Sequence, residues 1–234
     1  MSKETAKPET ETSEVIVHPG FGEVPAVSPV SAGSVPYLAF MEPKSNKAAE
    51  VAAAIPGIQA GQPYLGFGLL YQSLVNVPVV IAMVSPFWEV EYDKDFITPV
   101  KVNLTKFENS KETVVIAGIA LTNDGPISFC SSIRTTKTGP AKVAINVAAA
   151  SDKPGWADNK VKEGLVKLPG MLRHAGVLSC TPKTGSYGVY QVAKWTPAPL
   201  TIEQAVMVSE FAKSPDCESL QTRFAEKCAE YVVE

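Results

Sequence analysis

The chain has 234 residues, with 21 Lys and Arg against 24 Asp and Glu, so the formal net charge is −3. An apolar fraction of 45% is typical of a globular protein with a substantial core, and so small a net charge points to no class of partner. The four cysteines form no C-x-x-C pair and match no zinc pattern, which argues against a structural zinc site and predicts reduced, mostly buried thiols.

Segments that could direct the chain to a membrane are not predicted. The first residues are polar and charged and lack the apolar core of a secretory signal. The longest apolar run, residues 74–84, has eleven residues and contains a proline, so it is too short to span a bilayer. We therefore expect a soluble, cytoplasmic protein with no membrane partner.

Three parts are predicted along the chain. Residues 1–34 are rich in Glu, Thr, Ser, Pro and Val without a persistent hydrophobic period, which predicts a disordered arm of acidic and polar character. A β-rich core domain is predicted at 35–200, and C-terminal helices packed on that core are predicted at 201–234. The arm is a candidate either for solubility or for interactions.

The first half of the core domain is predicted to consist mostly of strands. A strand at 36–41 precedes an Ala-rich helix at 46–55, which Pro56 and Gly57 end. Further strands are predicted at 63–72, 77–84, 99–107 and 112–121, the last two joined by a hairpin-like loop at 108–111. Because consecutive strands are joined by short turns, an antiparallel sheet or barrel is favoured over a parallel sheet.

Four carboxylates alternate along one predicted strand: Glu89, Glu91, Asp93 and Asp95. In a strand they point to one face, where carboxylates can hold Mg²⁺ or Ca²⁺ for phosphoryl chemistry. The favoured interpretation is a solvated strand face that discourages edge pairing, because no second acidic cluster and no suitably placed histidine supports a metal. We predict no metal and no cofactor.

Residues 125–150 contain the best candidate for an anion site. A half-buried strand ends near Arg134, and a helix is predicted to begin at Pro140, where a missing N–H costs nothing. Arg134 and Lys137 lie just before this helix and Lys142 lies just after its start. Free N–H groups and the positive end of the helix dipole suit a phosphate there.

The C-terminal third is predicted to form a hairpin and two helices. The hairpin covers residues 176–197, with its turn at 183–186. Thr201 and Gln204 fit a capping box at the start of the first helix. One apolar stripe runs along the second helix: Leu220, Phe224, Cys228 and Tyr231.

Charge is concentrated in one block. Residues 131–200 carry ten Lys and Arg against three Asp and Glu, a difference of +7, which leaves −10 for the rest of the chain. Aromatic residues lie within the same block. Cations follow phosphates and aromatic rings stack on bases without reading their sequence, so this combination suits a single-stranded nucleic acid.

The candidate contacts divide into cations and rings. The predicted phosphate contacts are Arg134, Lys137, Lys142, Lys160, Lys162, Arg173, Lys183 and Lys194. The predicted stacking residues are Trp156, Tyr187, Tyr190 and Trp195. The alternative is that the rings are core residues and the lysines serve solubility.

This layout resembles that of phage and bacterial single-stranded DNA-binding proteins, which have a small β-barrel core and acidic terminal regions. The resemblance covers the arrangement of residues 35–200 and involves no shared motif. It implies a DNA-binding barrel, whereas the C-terminus differs in being a predicted packed helix and not a flexible acidic run. We predict an α+β fold, with an antiparallel β-sheet or OB-like barrel, inserted helices and a C-terminal helical pair.

Enzymatic activity is not predicted. The two histidines, His18 and His174, support no Ser-His-Asp or Cys-His set, and no P-loop or dinucleotide-binding glycine motif is present. The first hypothesis is a non-catalytic single-stranded DNA-binding protein of the phage or bacterial replication and recombination type. The alternative is a structural or assembly protein, for instance of a virion, with possible self-association. The third hypothesis is a metal-dependent nuclease that uses the four alternating carboxylates, which we call the acidic row: Glu89, Glu91, Asp93 and Asp95.

Overall fold

The computed structural model describes residues 35–94, 98–151, 170–186 and 188–231, and for residues 150, 151, 170 and 171 it describes the backbone alone. The predicted arm at 1–34 lies outside the described residues. So do five of the singled-out residues: Asp95, Trp156, Lys160, Lys162 and Tyr187.

Strands dominate the described part of the chain. The strands are β1 Tyr37–Phe40, β2 Pro63–Phe67, β3 Leu70–Ser73, β4 Pro78–Val84, β5 Trp88–Tyr92, β6 Pro99–Asn103, β7 Lys111–Thr122, β8 Gly125–Arg134, β9 His174–Gly185 and β10 Gly188–Pro199. The helices are α1 Ala48–Ala54, α2 Gly139–Ser151, α3 Ile202–Phe211 and α4 Pro215–Ala229. Short 3-10 turns occur at Thr135–Lys137 and Gly170–Arg173.

The strands form a small sheet and a large sheet. The small sheet has the order β1-β2-β3, and the large one has the order β10-β9-β4-β7-β5-β6, with β8 also paired to β7. β7 pairs with β4 and β5 along one edge and with β8 along the other. Every pairing is antiparallel, so the predicted α+β fold with antiparallel sheets is confirmed; within the described ranges no closed barrel is found.

The central strand β7 is apolar at nearly every position because both of its faces are covered. Val115 and Ile119 pack in the core that includes α3 and α4, whereas Val114 and Ile116 pack in the core beneath α2 and the β9–β10 hairpin. Gly118 pairs with Ile81 in the β4–β7 ladder, next to a register shift in β4, and a Cβ atom there would collide with a backbone carbonyl. The turn end of the β9–β10 hairpin extends beyond this packing and is exposed to solvent.

The C-terminal helices pack on the large sheet. Thr201 and Gln204 form the predicted capping box, with Gln204 N donating to Thr201 Oγ1 at 3.2 Å and Thr201 N donating to Gln204 Oε1 at 3.0 Å. The predicted apolar stripe of α4 is buried in the same core: Leu220, Phe224, Cys228 and Tyr231. No helix in the described ranges is long and apolar enough to cross a bilayer.

Three local predictions are wrong. Residues 63–72 form a hairpin and not one strand, because Gly68 turns the chain with a φ of 58°. The loop at 108–111 joins β6 to β7, but these strands do not pair because β5 lies between them. The turn of the long hairpin follows Gly185, two residues beyond the predicted position, since the ladder continues to the Gly185–Gly188 pair.

Candidate functional site

The β9–β10 hairpin has one buried face and one exposed face. The two strands pair over twelve residues, from Gly185 opposite Gly188 to His174 opposite Pro199. Side chains alternate between the faces of a strand, and the inner face buries Leu178, Ala193 and Trp195. The opposite face carries three of the predicted contact residues: Lys183, Tyr190 and Lys194. We call these three residues the ribbon face.

The register brings a cation and a ring together on the ribbon face. Lys183 lies directly opposite Tyr190, a position that places their Cβ atoms about 5 Å apart. Lys194 follows Tyr190 by four residues on the same strand face, a distance of about 13 Å along the strand. Tyr190 is 41% exposed, and both lysines are exposed.

The hairpin carries a positive formal charge although the chain as a whole has a net charge of −3. Residues 174–199 contain two lysines and no Asp or Glu. Within the described part of the chain, neither Lys183 nor Lys194 has a carboxylate oxygen within 4 Å of its ammonium. Both ammonium groups are therefore available for a phosphate.

The predicted stacking role of Trp195 is corrected by the structure. Its side chain is 4% exposed and lies on the inner face of the hairpin, under α2. Its indole N–H donates to the carbonyl oxygen of Val79 at 3.0 Å, which satisfies the polar end of the buried ring. The alternation of the strand places this ring in the core, so no face is open to a base.

Two other predicted contacts, Arg134 and Arg173, are partly buried beside the sheet. The Arg134 guanidinium lies over the ring of Tyr92, 3.6 Å from its centroid, where the ring quadrupole attracts the cation. Arg173 lies in the 3-10 turn before β9, and its carbonyl oxygen accepts from Leu200 N at 3.2 Å. Neither residue lies on the hairpin ladder that carries the ribbon face.

The start of α2 holds a carboxylate from the chain itself. The hydroxyl of Thr138 donates to Glu112 Oε1 at 2.6 Å, and Lys142 Nζ donates to Glu112 Oε2 at 2.9 Å. Partial burial raises the pKa of Glu112, but the hydrogen bonds from Lys142 and Thr138 and the Lys142 charge outweigh it, so the pKa is lowered overall. The predicted phosphate position is thus filled by Glu112, and Lys142 is engaged in an ion pair.

An open cleft of about 320 Å³ lies between β1 and the end of β8. Its walls include Phe40, Glu42, Tyr64, Thr135 and Lys137. Sequence reasoning identified Lys137 but missed Glu42, because these residues are 95 positions apart and no local pattern links them. We call this space the Lys137 cleft.

The acidic row divides between a strand and a loop. Glu89 accepts a hydrogen bond from Ser110 Oγ at 2.6 Å, and Glu91 lies opposite Lys101 in the β5–β6 ladder. Asp93 follows the strand, and Asp95 is outside the described residues. Among the residues described, no three His, Cys, Asp or Glu side chains form a group suited to a metal ion.

No family model, curated protein or solved structure matches this chain. The functional argument therefore depends on the geometry of the chain's own residues.

Proposed function

We propose that the protein binds single-stranded DNA without catalysis, through the ribbon face of the β9–β10 hairpin. The observation that carries this proposal is the cross-strand pair of Lys183 and Tyr190, a cation beside an exposed ring on a hairpin without carboxylates. A proposed setting is replication or recombination in the cytoplasm of a bacterium or a phage-infected cell.

The ribbon face suits a flexible strand better than a duplex. Tyr190 offers a π-face on which any base can stack, worth about 1–3 kcal/mol for each stacked base. Lys183 lies beside this ring and Lys194 lies about 13 Å along the strand, so the two ammonium groups can contact phosphates on either side of the stacked base. An open ribbon supplies these contacts, so the proposal does not require the OB-like barrel.

The test is fluorescence anisotropy of a labelled oligo(dT), titrated with the full chain at two salt concentrations and with a duplex in parallel. We expect salt-dependent binding to the single strand and weaker binding to the duplex. Tyr190→Ala is expected to lower the affinity about tenfold, whereas Tyr190→Phe keeps the π-face and the affinity.

Charge variants distinguish binding at the ribbon face from nonspecific electrostatic attraction between DNA and other lysines of the protein. The double change Lys183→Met and Lys194→Met is expected to reduce the magnitude of the salt slope by about 1.4, since each phosphate contact to a single strand contributes about 0.7. Lys213→Met removes an exposed lysine that follows α3 and is the matched control. Equal affinities for wild type, Tyr190→Ala and the double variant would contradict the proposal.

A second candidate function is assembly through self-association, and the tip of the β2–β3 hairpin favours it. Leu69 is 80% exposed and Leu70 is 72% exposed, and Phe67 lies opposite Leu70 in the ladder. These three residues, the apolar tip, leave large apolar groups in water, which is typical of contact surfaces. Size-exclusion chromatography with light scattering over a range of concentrations tests this candidate, and Leu69→Asp is expected to abolish any concentration-dependent increase in mass.

A further inference from the structure

The Lys137 cleft has the dimensions of a small-molecule site. Its volume of about 320 Å³ is at the lower end of the range of ligand pockets, which is about 300–1,000 Å³. Leu38, Phe40 and Tyr64 give it apolar and aromatic walls, and Thr135 and Lys137 bring polar groups to the same space. Such a combination of apolar walls with few polar groups is the usual composition of a ligand site.

Lys137 is a mostly buried cation whose ion pair with Glu42 is longer than a hydrogen bond. Its side chain is 13% exposed, and its ammonium lies 3.7 Å from Glu42 Oε1 and 3.9 Å from Cys180 Sγ. Within the described ranges, no oxygen accepts a hydrogen bond from this ammonium, which has three donors. The Phe40 ring, with its centroid 5.3 Å from the ammonium, also faces this cation. An anion in the cleft would add the short, charge-assisted hydrogen bond that the Glu42 ion pair does not supply, in a site more shielded from water than an exposed lysine.

The backbone that carries Lys137 is strained. Thr135 has a φ of 45°, a left-handed conformation that is an outlier for a β-branched residue. Such conformations are unfavourable and cluster at ligand clamps and active sites.

We propose that the Lys137 cleft binds a small organic anion that carries one carboxylate or phosphate on a flat apolar body. The anionic group meets the Lys137 ammonium, and the apolar body packs against the lining side chains of Leu38 and Phe40, which share one face of the small sheet. Glu42, whose side chain is 61% exposed, competes for the ammonium from the cleft wall and disfavours a ligand with a second negative group near it.

This site is distinct from the ribbon face. Lys137 approaches Cys180, which pairs with the buried Ala193 and therefore lies on the inner face of the hairpin. The ribbon face lies on the opposite side of the same two strands. A ligand in the cleft thus requires no bound nucleic acid, and the two proposals can fail independently.

Isothermal titration of the full chain with benzoate and with phenyl phosphate tests the site. Benzyl alcohol and benzylamine are the neutral and cationic probes of similar shape. We expect one or both anions to bind in the millimolar range or tighter and the other two probes to bind at least tenfold more weakly. The comparison of benzoate with phenyl phosphate identifies the preferred anionic group.

Variants of Lys137 and of its ion-pair partner Glu42 distinguish a loss of binding from a loss of folding. Lys137→Met is expected to lower anion affinity at least tenfold, whereas Glu42→Gln is expected to raise it several-fold, an effect that misfolding cannot produce. Lys213→Met removes an exposed lysine outside both proposed sites and is expected to leave the affinity unchanged. The proposal is overturned if neither anion binds at millimolar concentration, if benzyl alcohol binds as tightly as the anions, or if a folded Lys137→Met binds like wild type.

Discussion

Glu112 on β7 and Lys142 on α2 form an ion pair, with 2.7 Å between Oε1 and Nζ. The hydroxyl of Thr138 donates to the same carboxylate, so the Glu112 side chain lies beside the start of α2, where the sequence indicated a phosphate. A carboxylate near the positive end of a helix dipole is stabilising. The feature is therefore a structural link between β7 and α2.

Replacement of Glu112 by Gln is expected to lower the free energy of unfolding by about 1 kcal/mol at neutral pH, because the link is partly exposed. The folded state lowers the pKa of Glu112, so its contribution is fully present above the ordinary value of 4.5 and is lost as the pH falls through the lowered value. Urea unfolding of wild type and Glu112→Gln should therefore differ at pH 7 and converge in acid. An equal difference at pH 7 and pH 2 would contradict this assignment.

Elements with strong local signals could be predicted from the sequence. Gly139 and Pro140 begin α2, and Thr201 caps α3, because backbone requirements at helix starts select these residues locally. The position of β5 between β6 and β7 could not be predicted, since strand pairing depends on contacts far apart in the chain. The turn at Gly68 is a different case. A glycine inside an apolar run is itself a local signal for a hairpin turn, so this turn could have been predicted from the sequence.

The candidate site was predictable in composition but not in geometry. The basic block identified Lys183, Tyr190 and Lys194, yet only the β9–β10 register shows that they share a face. The same block included Trp195, which the register places in the core with Leu178. Composition cannot distinguish Tyr190 from Trp195. Alternate residues of a strand point to opposite faces, so the face of each ring depends on the exact register of the two strands, which the sequence does not determine.

The C-terminal segment is expected to be held to the sheet by an aromatic stack. Trp88 on β5 and Tyr231 after α4 have ring centroids 5.0 Å apart and an interplanar angle of 18°. Tyr231→Ala is expected to cost about 3–5 kcal/mol, as for other buried aromatic truncations, whereas Tyr231→Phe keeps the stack and costs less than about 1.5 kcal/mol. Chemical unfolding monitored by circular dichroism measures both, and equal losses would show that the hydroxyl and not the ring holds the segment.

The irregular part of the β4–β7 ladder is expected to tolerate no side chain at Gly118. A Cβ atom there would collide with the carbonyl oxygen of Val80 and lie 2.9 Å from the Phe129 ring. Gly118→Ala should therefore lower the free energy of unfolding by about 2–3 kcal/mol, as overpacked cores do. Gly57→Ala is the control: no atom lies within 4 Å of its Cβ position, but its φ of 79° is unfavourable for alanine, so a loss of about 1 kcal/mol is expected. A smaller loss of unfolding free energy for Gly118→Ala than for Gly57→Ala would contradict the close contact between Gly118 and the Val80 carbonyl.

Cys180 is expected to be the first thiol to react in the folded protein. The other three cysteines are buried, and burial raises the pKa of Cys130, Cys217 and Cys228 to about 12. Cys180 is only partly buried; burial raises its pKa too, but the nearby Lys137 charge opposes the shift. Titration with an aromatic disulfide reagent at pH 8 should give one rapidly modified thiol, and four after unfolding.

The rate of this modification also reports on the Lys137 cleft. The thiolate is the reactive form, so the rate should rise with pH through the working range. Lys137→Met removes the cation 3.9 Å from the sulfur and should slow the reaction at a fixed pH, whereas Glu42→Gln removes an opposing charge and should accelerate it. Cys180→Ser identifies the reacting residue, since it should abolish the rapid phase. Unchanged rates in both charge variants would show that Lys137 does not influence the thiol.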